Sequence, residues 1–120
     1  MTDLTAGIAA FENQNYHNAL TILTPLANQG SDEAQCILGC MYQLGLGVQA
    51  NSAIAADWYQ RSAEQGNGLA ANNLAGLILM GYEGKAPNRN EASQWYDWAT
   101  RQGFLHSPTA MNVFNSDRHG

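Results

Sequence analysis

The chain has 120 residues, 45% of them hydrophobic, with a formal net charge of −5 and a pI near 4.8. That length supports one domain with a modest core. The acidity excludes electrostatic capture of nucleic acid or of an anionic membrane surface, because both need clustered cations and only Arg61, Lys85, Arg89, Arg101 and Arg118 are present.

Residues 3 to 13 carry Leu4, Ile8 and Phe11 at helical spacing, and residues 16 to 29 carry Tyr16, Ala19, Leu20, Leu23, Leu26 and Ala27 in the same rhythm. They predict a first helical hairpin. Pro25 frees the carbonyl of Thr21 and bends the second rod without ending it, since the apolar stripe continues to Ala27; Gly30 supplies the stop. Met1 to Asn15 shows no basic stretch followed by an apolar run, and nowhere do about 18 apolar residues run together, so a soluble, cytoplasmic protein is expected.

Ser31 or Asp32 caps a helix predicted over 32–43, with Ala34, Ile37, Leu38 and Met41 facing inward and Tyr42 beside them. Gly39 lies inside that helix. A glycine there costs about 1 kcal/mol relative to alanine, so close approach of a neighbouring helix is expected to compensate. Cys36 and Cys40 share a face but close no long loop; they read as reduced thiols near a packed surface. His17, His106 and His119 add no ligand spacing, so no metal and no cofactor is expected. The loop Gly45-Leu46-Gly47-Val48 lacks the Lys, the Ser/Thr and the preceding strand of a phosphate-binding loop; Leu46 or Val48 is expected to plug the hairpin's open end. A helix over 52–65 follows, with Ala55, Trp58, Tyr59, Ser62 and Ala63 as a stripe of small and aromatic residues.

The same pattern then returns. Residues 67 to 103 align without a gap on 30 to 66, matching Ala34 with Ala71, Gly39 with Gly76, Gly47 with Gly84, Asn51 with Asn88, Ala55 with Ala92, Trp58-Tyr59 with Trp95-Tyr96 and Gln65-Gly66 with Gln102-Gly103. Nine identities at one offset of 37 are hard to produce by chance. A period of that size implies stacked helical pairs, each too small to bury its own apolar face. The fold class expected is therefore all-α: a short right-handed α-solenoid of antiparallel helix pairs, with hairpin 3–30, repeats 31–66 and 67–103, and a capping helix over 104–115 in which Met111 and Phe114 face back onto the second repeat.

Leu38-Gly39, Met41-Tyr42, Gly45-x-Gly47-Val48, Ala55-x-x-Trp58-Tyr59 and Ala63-x-Gln65-Gly66 together resemble the Sel-one-like repeat family, a relative of the tetratricopeptide repeats. The second unit is similar but departs from the pattern: Ala75 stands before Gly76, Leu79 replaces the usual tyrosine and Tyr82 replaces the first loop glycine. The first hairpin, through Ala19, Leu23, Pro25-Leu26-Ala27 and Gln29-Gly30, looks like a further unit with a shortened loop. The resemblance implies a scaffold or adaptor whose first helices line a concave groove; bacterial members include regulators, secretion-linked factors and immunity proteins. Carried onto this chain, the groove positions are Glu33, Cys36, Cys40 and Gln43, then Ala70, Asn73, Leu77 and Met80, with Ser107 and Phe114 extending the row.

An apolar centre with a polar rim suits a peptide or partner helix. Trp98 stands where the first repeat has Arg61, so it is either covered by the C-terminal segment, near Trp95, Tyr96 and Phe104, or exposed as a binding anchor. Catalysis is not expected. No Ser and His arrangement has an acidic third member at recognisable spacing, and Asp57 and Asp97 read as helix-surface acids. The functions left are a protein-binding scaffold, a small acidic immunity or inhibitor protein that neutralises a toxin, and a self-associating module, monomeric or dimeric.

Overall fold

A computed structural model describes residues 3–103. The expected capping helix, with Ser107, Met111 and Phe114, lies outside the described residues. Six α-helices follow one another: α1 (Asp3–Glu12), α2 (Tyr16–Asn28), α3 (Asp32–Leu44), α4 (Ser52–Glu64), α5 (Gly68–Met80) and α6 (Arg89–Arg101). Each packs against the next, and α3 also touches α5, which is the arrangement of hairpins stacked in a solenoid. Among the described residues no helix is long and apolar enough to cross a membrane.

Local chemistry sets the helix ends. The side chains of Ser31, Asn51, Asn67 and Asn88 each accept from the amide three residues on, supplying α3 to α6 with one of the donors a helix start leaves unpaired. At the far ends, Gly30 and Gly66 take positive φ of 103° and 100°. Their amides return to Ala27 and Ala63, while Ser31 and Asn67 donate to Leu26 and Ser62. That double closure is the αL stop open to glycine. Pro25 stays inside α2, which continues to Asn28 as the apolar stripe predicts.

Two cores result, and each crosses a layer boundary. Ala19, Leu23, Ala27, Ala34, Leu38 and Met41 form the first, with Trp58, Leu46 and Tyr16 packed against it. Tyr59, Ala55, Ala56 and Ala63 of α4, Ala70, Ala71 and Ala75 of α5, Leu74, Ile78, Ala92 and Ala99 form the second, flanked by Trp95, Tyr96 and Trp98. Leu46 thus supplies the expected plug over the first core. Polar contacts act within and between layers: inside the 31–66 repeat the Ser62 hydroxyl donates to the Asp32 carbonyl at 2.7 Å and Gln65 Nε2 to Gln35 Oε1 at 2.8 Å, while Asn67 Nδ2 donates to the Asp32 carboxylate and Gln35 Nε2 to the Ala27 carbonyl, each at 3.0 Å, across layer boundaries.

Gly39 behaves as its position predicts, since a Cβ built there would lie 2.5 Å from Tyr59 Cδ1. Gly7, which the sequence reading passed over, sits in the same relation to Leu23 at 2.5 Å. Gly76 does not: the nearest atom to its Cβ would be Tyr96 Oη at 3.9 Å. Counted from the caps Ser31 and Asn67, the place of Gly39 in α5 is held by Ala75, so the gap-free pairing of Gly39 with Gly76 is one residue out of register, and of the two glycines only Gly39 is a close approach.

Candidate functional site

The residues assigned to the groove converge on one phenol. Tyr59 is fully buried, its ring passes under Gly39, and its hydroxyl emerges beside α3 to donate to Gln43 Oε1 at 2.7 Å. Asn73 of α5 lies near enough to the same phenol to favour its ionised form. Cys36 and Cys40, one and two turns into α3, lie close enough to it to disfavour its ionisation. Helical spacing of four puts Cys36 and Cys40 on one face with Gln43 a turn further on, and the α4 ring crossing beneath joins that face to α5.

Exposure divides this row into a floor and a rim. Glu33 and Met80 are exposed, Met80 at 79%. Cys40, Gln43 and Asn73 are half-buried. Cys36 and Leu77, at 7% and 6%, are core, as is Ala70. This corrects the sequence expectation for Cys36, Leu77 and Ala70 as contact residues. Position on a helix face is periodic, but how far that face opens depends on the approach of the neighbouring helix. Leu77, whose carbonyl accepts from the capping Gly81, stands where α3 has buried Met41, whose carbonyl accepts from Gly45, so its burial follows its place in the helix.

The floor is electrically quiet. Burial first, then Cys40 and Asp32, push the Cys36 thiol up from 9.0 to about 12. Burial also raises Cys40 and Tyr96. Tyr59 is raised by burial first and then by the two thiols, with the Asn73 hydrogen bond opposing. These groups are neutral near pH 7. Both cysteines are free, and among the described residues no group of three or more His, Cys, Asp or Glu could hold a metal ion.

A stability prediction follows from the signs. Raised acids hold their protons in the folded chain, so their contribution is complete below the unfolded pKa and is lost as pH rises through the folded one. The thermal midpoint is expected to fall as pH climbs from 9.0 towards about 12, the window set by Cys36. Iodoacetamide at mildly alkaline pH should label Cys40 before Cys36. Equal labelling rates in folded protein would contradict the burial of Cys36.

Trp98 is not the free anchor of one sequence alternative, and the C-terminal cover of the other lies outside the described residues. Its Nε1–H donates to the Ala63 carbonyl at 2.7 Å, so the indole is fixed on α4 and half-buried, and it is no free anchor. In the layer before, the matching carbonyl, Ala27, accepts from the Gln35 amide. The residue at the place of Gln35 in α5, four past the cap, is Ala71, which offers no amide. An indole has replaced an amide. The sequence contained the signal as two paired changes, Gln35 to Ala71 and Arg61 to Trp98.

A second concavity was not anticipated. A hollow of about 990 Å³ opens at the loop end, lined by Tyr42, the 48–54 segment and Gly81-Tyr82-Glu83. Gly81, at φ 78°, caps α5 as Gly45, at φ 72°, caps α3, which corrects the expectation that Tyr82 replaces the first loop glycine; Tyr82 follows it and pairs with Lys85 through both backbone groups, while Lys85 bonds Glu91 at 2.7 Å. The longer loop therefore stands up as one wall of the hollow.

The Sel1 repeat pattern matches residues 32–67 and 68–104. Chitin synthase regulatory factor 3 of Schizosaccharomyces pombe is 39% identical over 84 residues, which cover 68% of this chain and 9% of that protein. A Sel1 repeat protein from Oxalobacter formigenes superposes with a TM-score of 0.78 at 35% identity, covering 85% of this chain and 40% of its own. A protective antigen of uropathogenic Escherichia coli with an SLR fold gives 0.69 at 38% identity, covering 73% and 19%. The chain thus spans less than half the length of each of these proteins. With both repeats matched and the helix pairs stacked in order, the chain belongs to the Sel1 repeat family, whose members are generally non-enzymatic scaffolds for protein interactions.

Proposed function

We propose that this chain is an adaptor that holds a partner protein or peptide along its concave face. The observation that supports the reading is the make-up of the α3 and α5 row, in which Gln43 is held in place by a buried phenol and Met80 is 79% exposed. Fixed polar groups lower the ordering cost of binding, and an exposed, unbranched thioether adapts to apolar side chains. Glu33 and Cys40 complete the rim, and Cys36 and Leu77 form its rigid floor. The match to a regulatory factor supports a protein partner. Two unpaired thiols held in the protonated form fit a reducing compartment such as the cytoplasm.

Because Leu77 is core, the test uses Met80 and Gln43. Proteins captured from the native source by the full chain are identified, and the affinity of the recovered partner is measured for wild type, Met80→Glu and Gln43→Ala. Met80→Glu is expected to weaken binding by about tenfold while leaving the melting temperature unchanged, as for a contact residue at an interface. Undiminished binding by both variants would remove the groove from the proposal.

A further inference from the structure

We infer that the outer face of α4 and α6 carries a receptor for an arginine side chain of a partner protein, built by Trp95, Trp98 and Glu64. The first repeat shows what such a site holds. There the Arg61 guanidinium lies 4.8 Å over the Trp58 ring, and its Nη2 meets the Asp57 carboxylate at 3.1 Å. A planar cation on an indole face beside a carboxylate is a favourable arrangement, and arginine suits it better than lysine because its weakly hydrated plane stacks.

In the second repeat the indole is retained as Trp95, but Arg61 is replaced by Trp98 and Asp57 by Gln94. Trp98 turns away to bond the Ala63 carbonyl. Among the described residues, the guanidinium of α6 that stacks on an indole is Arg101, 5.6 Å over Trp98, and none lies over Trp95. A hollow of about 170 Å³ is left between Trp95 and Trp98, and Glu64 from the preceding layer closes it. Arg101 does not line it; with Glu91 and Gln94 it borders the adjoining hollow, which Trp95 and Trp98 also wall. Glu64 Oε1 accepts from Gln60 Nε2 at 2.9 Å, which steadies the carboxylate at the rim. The second repeat thus keeps the aromatic wall and an acid, but its own cation, Arg101, stacks on Trp98, and among the described residues no guanidinium lies over Trp95 as Arg61 lies over Trp58. The chain's net charge of −5 favours approach of a basic partner. This face is opposite in role to the groove and does not rest on it.

The test titrates the full chain, ¹⁵N-labelled, with Nα-acetyl-arginine amide and follows the three indole N–H resonances. Parallel titrations use Nα-acetyl-citrulline amide, the uncharged isostere, Nα-acetyl-lysine amide and tetramethylammonium. Saturable shifts at Trp95 and Trp98, absent at Trp58, are expected with arginine and not with citrulline. Glu64→Gln, an exposed change that leaves the fold intact, is expected to weaken the arginine response about fivefold, the size of one surface cation contact. Equal responses to citrulline, unaltered binding by Glu64→Gln, or tighter binding of lysine or tetramethylammonium than of arginine would each overturn the proposal.

Discussion

Replacing Gly39 with alanine is expected to destabilise the protein by about 1–3 kcal/mol, the cost of overpacking a filled core. The same change at Gly76 is expected to stabilise it by up to about 1 kcal/mol, the helix-propensity difference between glycine and alanine. The opposite signs come from one geometric difference. A methyl at Gly39 would lie 2.5 Å from Cδ1 and 2.6 Å from Cε1 of Tyr59, a ring with no exposed surface and a hydroxyl held by Gln43. The ring cannot swing away without breaking that bond, so α3 and α4 must separate. A methyl at Gly76 meets Tyr96 Oη at 3.9 Å, an ordinary contact. Urea unfolding monitored by circular dichroism measures both, and an unchanged slope against denaturant confirms that the midpoint shift is a stability change. Shifts of the same sign in the two variants would show that the repeats pack alike and that this account is mistaken.

Trp98→Ala is expected to cost about 3 kcal/mol, at the low end for a large aromatic because the indole is half-buried. Most of that is lost packing against α4. Trp98→Phe separates out the hydrogen bond: the Ala63 carbonyl keeps the Gly66 amide at 2.9 Å but loses the indole N–H, at an expected cost of about 1 kcal/mol. Adding Ala71→Gln to Trp98→Ala should then recover part of the loss, since the removed indole leaves space and an amide at the place of Gln35 reaches the carbonyl as Gln35 reaches Ala27. In the wild type the same Ala71→Gln change meets a filled core and finds its acceptor already taken. A double-mutant cycle isolates this coupling, and equal effects of Ala71→Gln in the two backgrounds would refute the exchange of donors.

The helices and their stacking were legible because each depends on local rules: apolar spacing along one helix, a side-chain cap at its start and a glycine at its end. Gly39 was legible too, since an interior glycine demands a close neighbour. Gly76 misled because the gap-free offset of 37 sets α5 one residue out of register against α3: counted from their caps, the place of Gly39 is held by Ala75. Which groove residues are rim and which are floor was illegible for the same reason: Leu77 holds the place of buried Met41 and not of half-buried Cys40. The loop-end hollow depends on how Tyr82 and Lys85 pair across a loop, which no periodicity reports.

The carbonyl that ends α4 is served by an indole, whereas its counterpart in α2 is served by an amide, so the joint between layers is chemically degenerate. What must persist is a donor of adequate reach, whichever helix extends it. Successive hairpins can diverge at this seam while their spacing stays constant. Each such swap also rearranges what the outer wall displays, which ties the upkeep of the stack to the diversity of surfaces it presents.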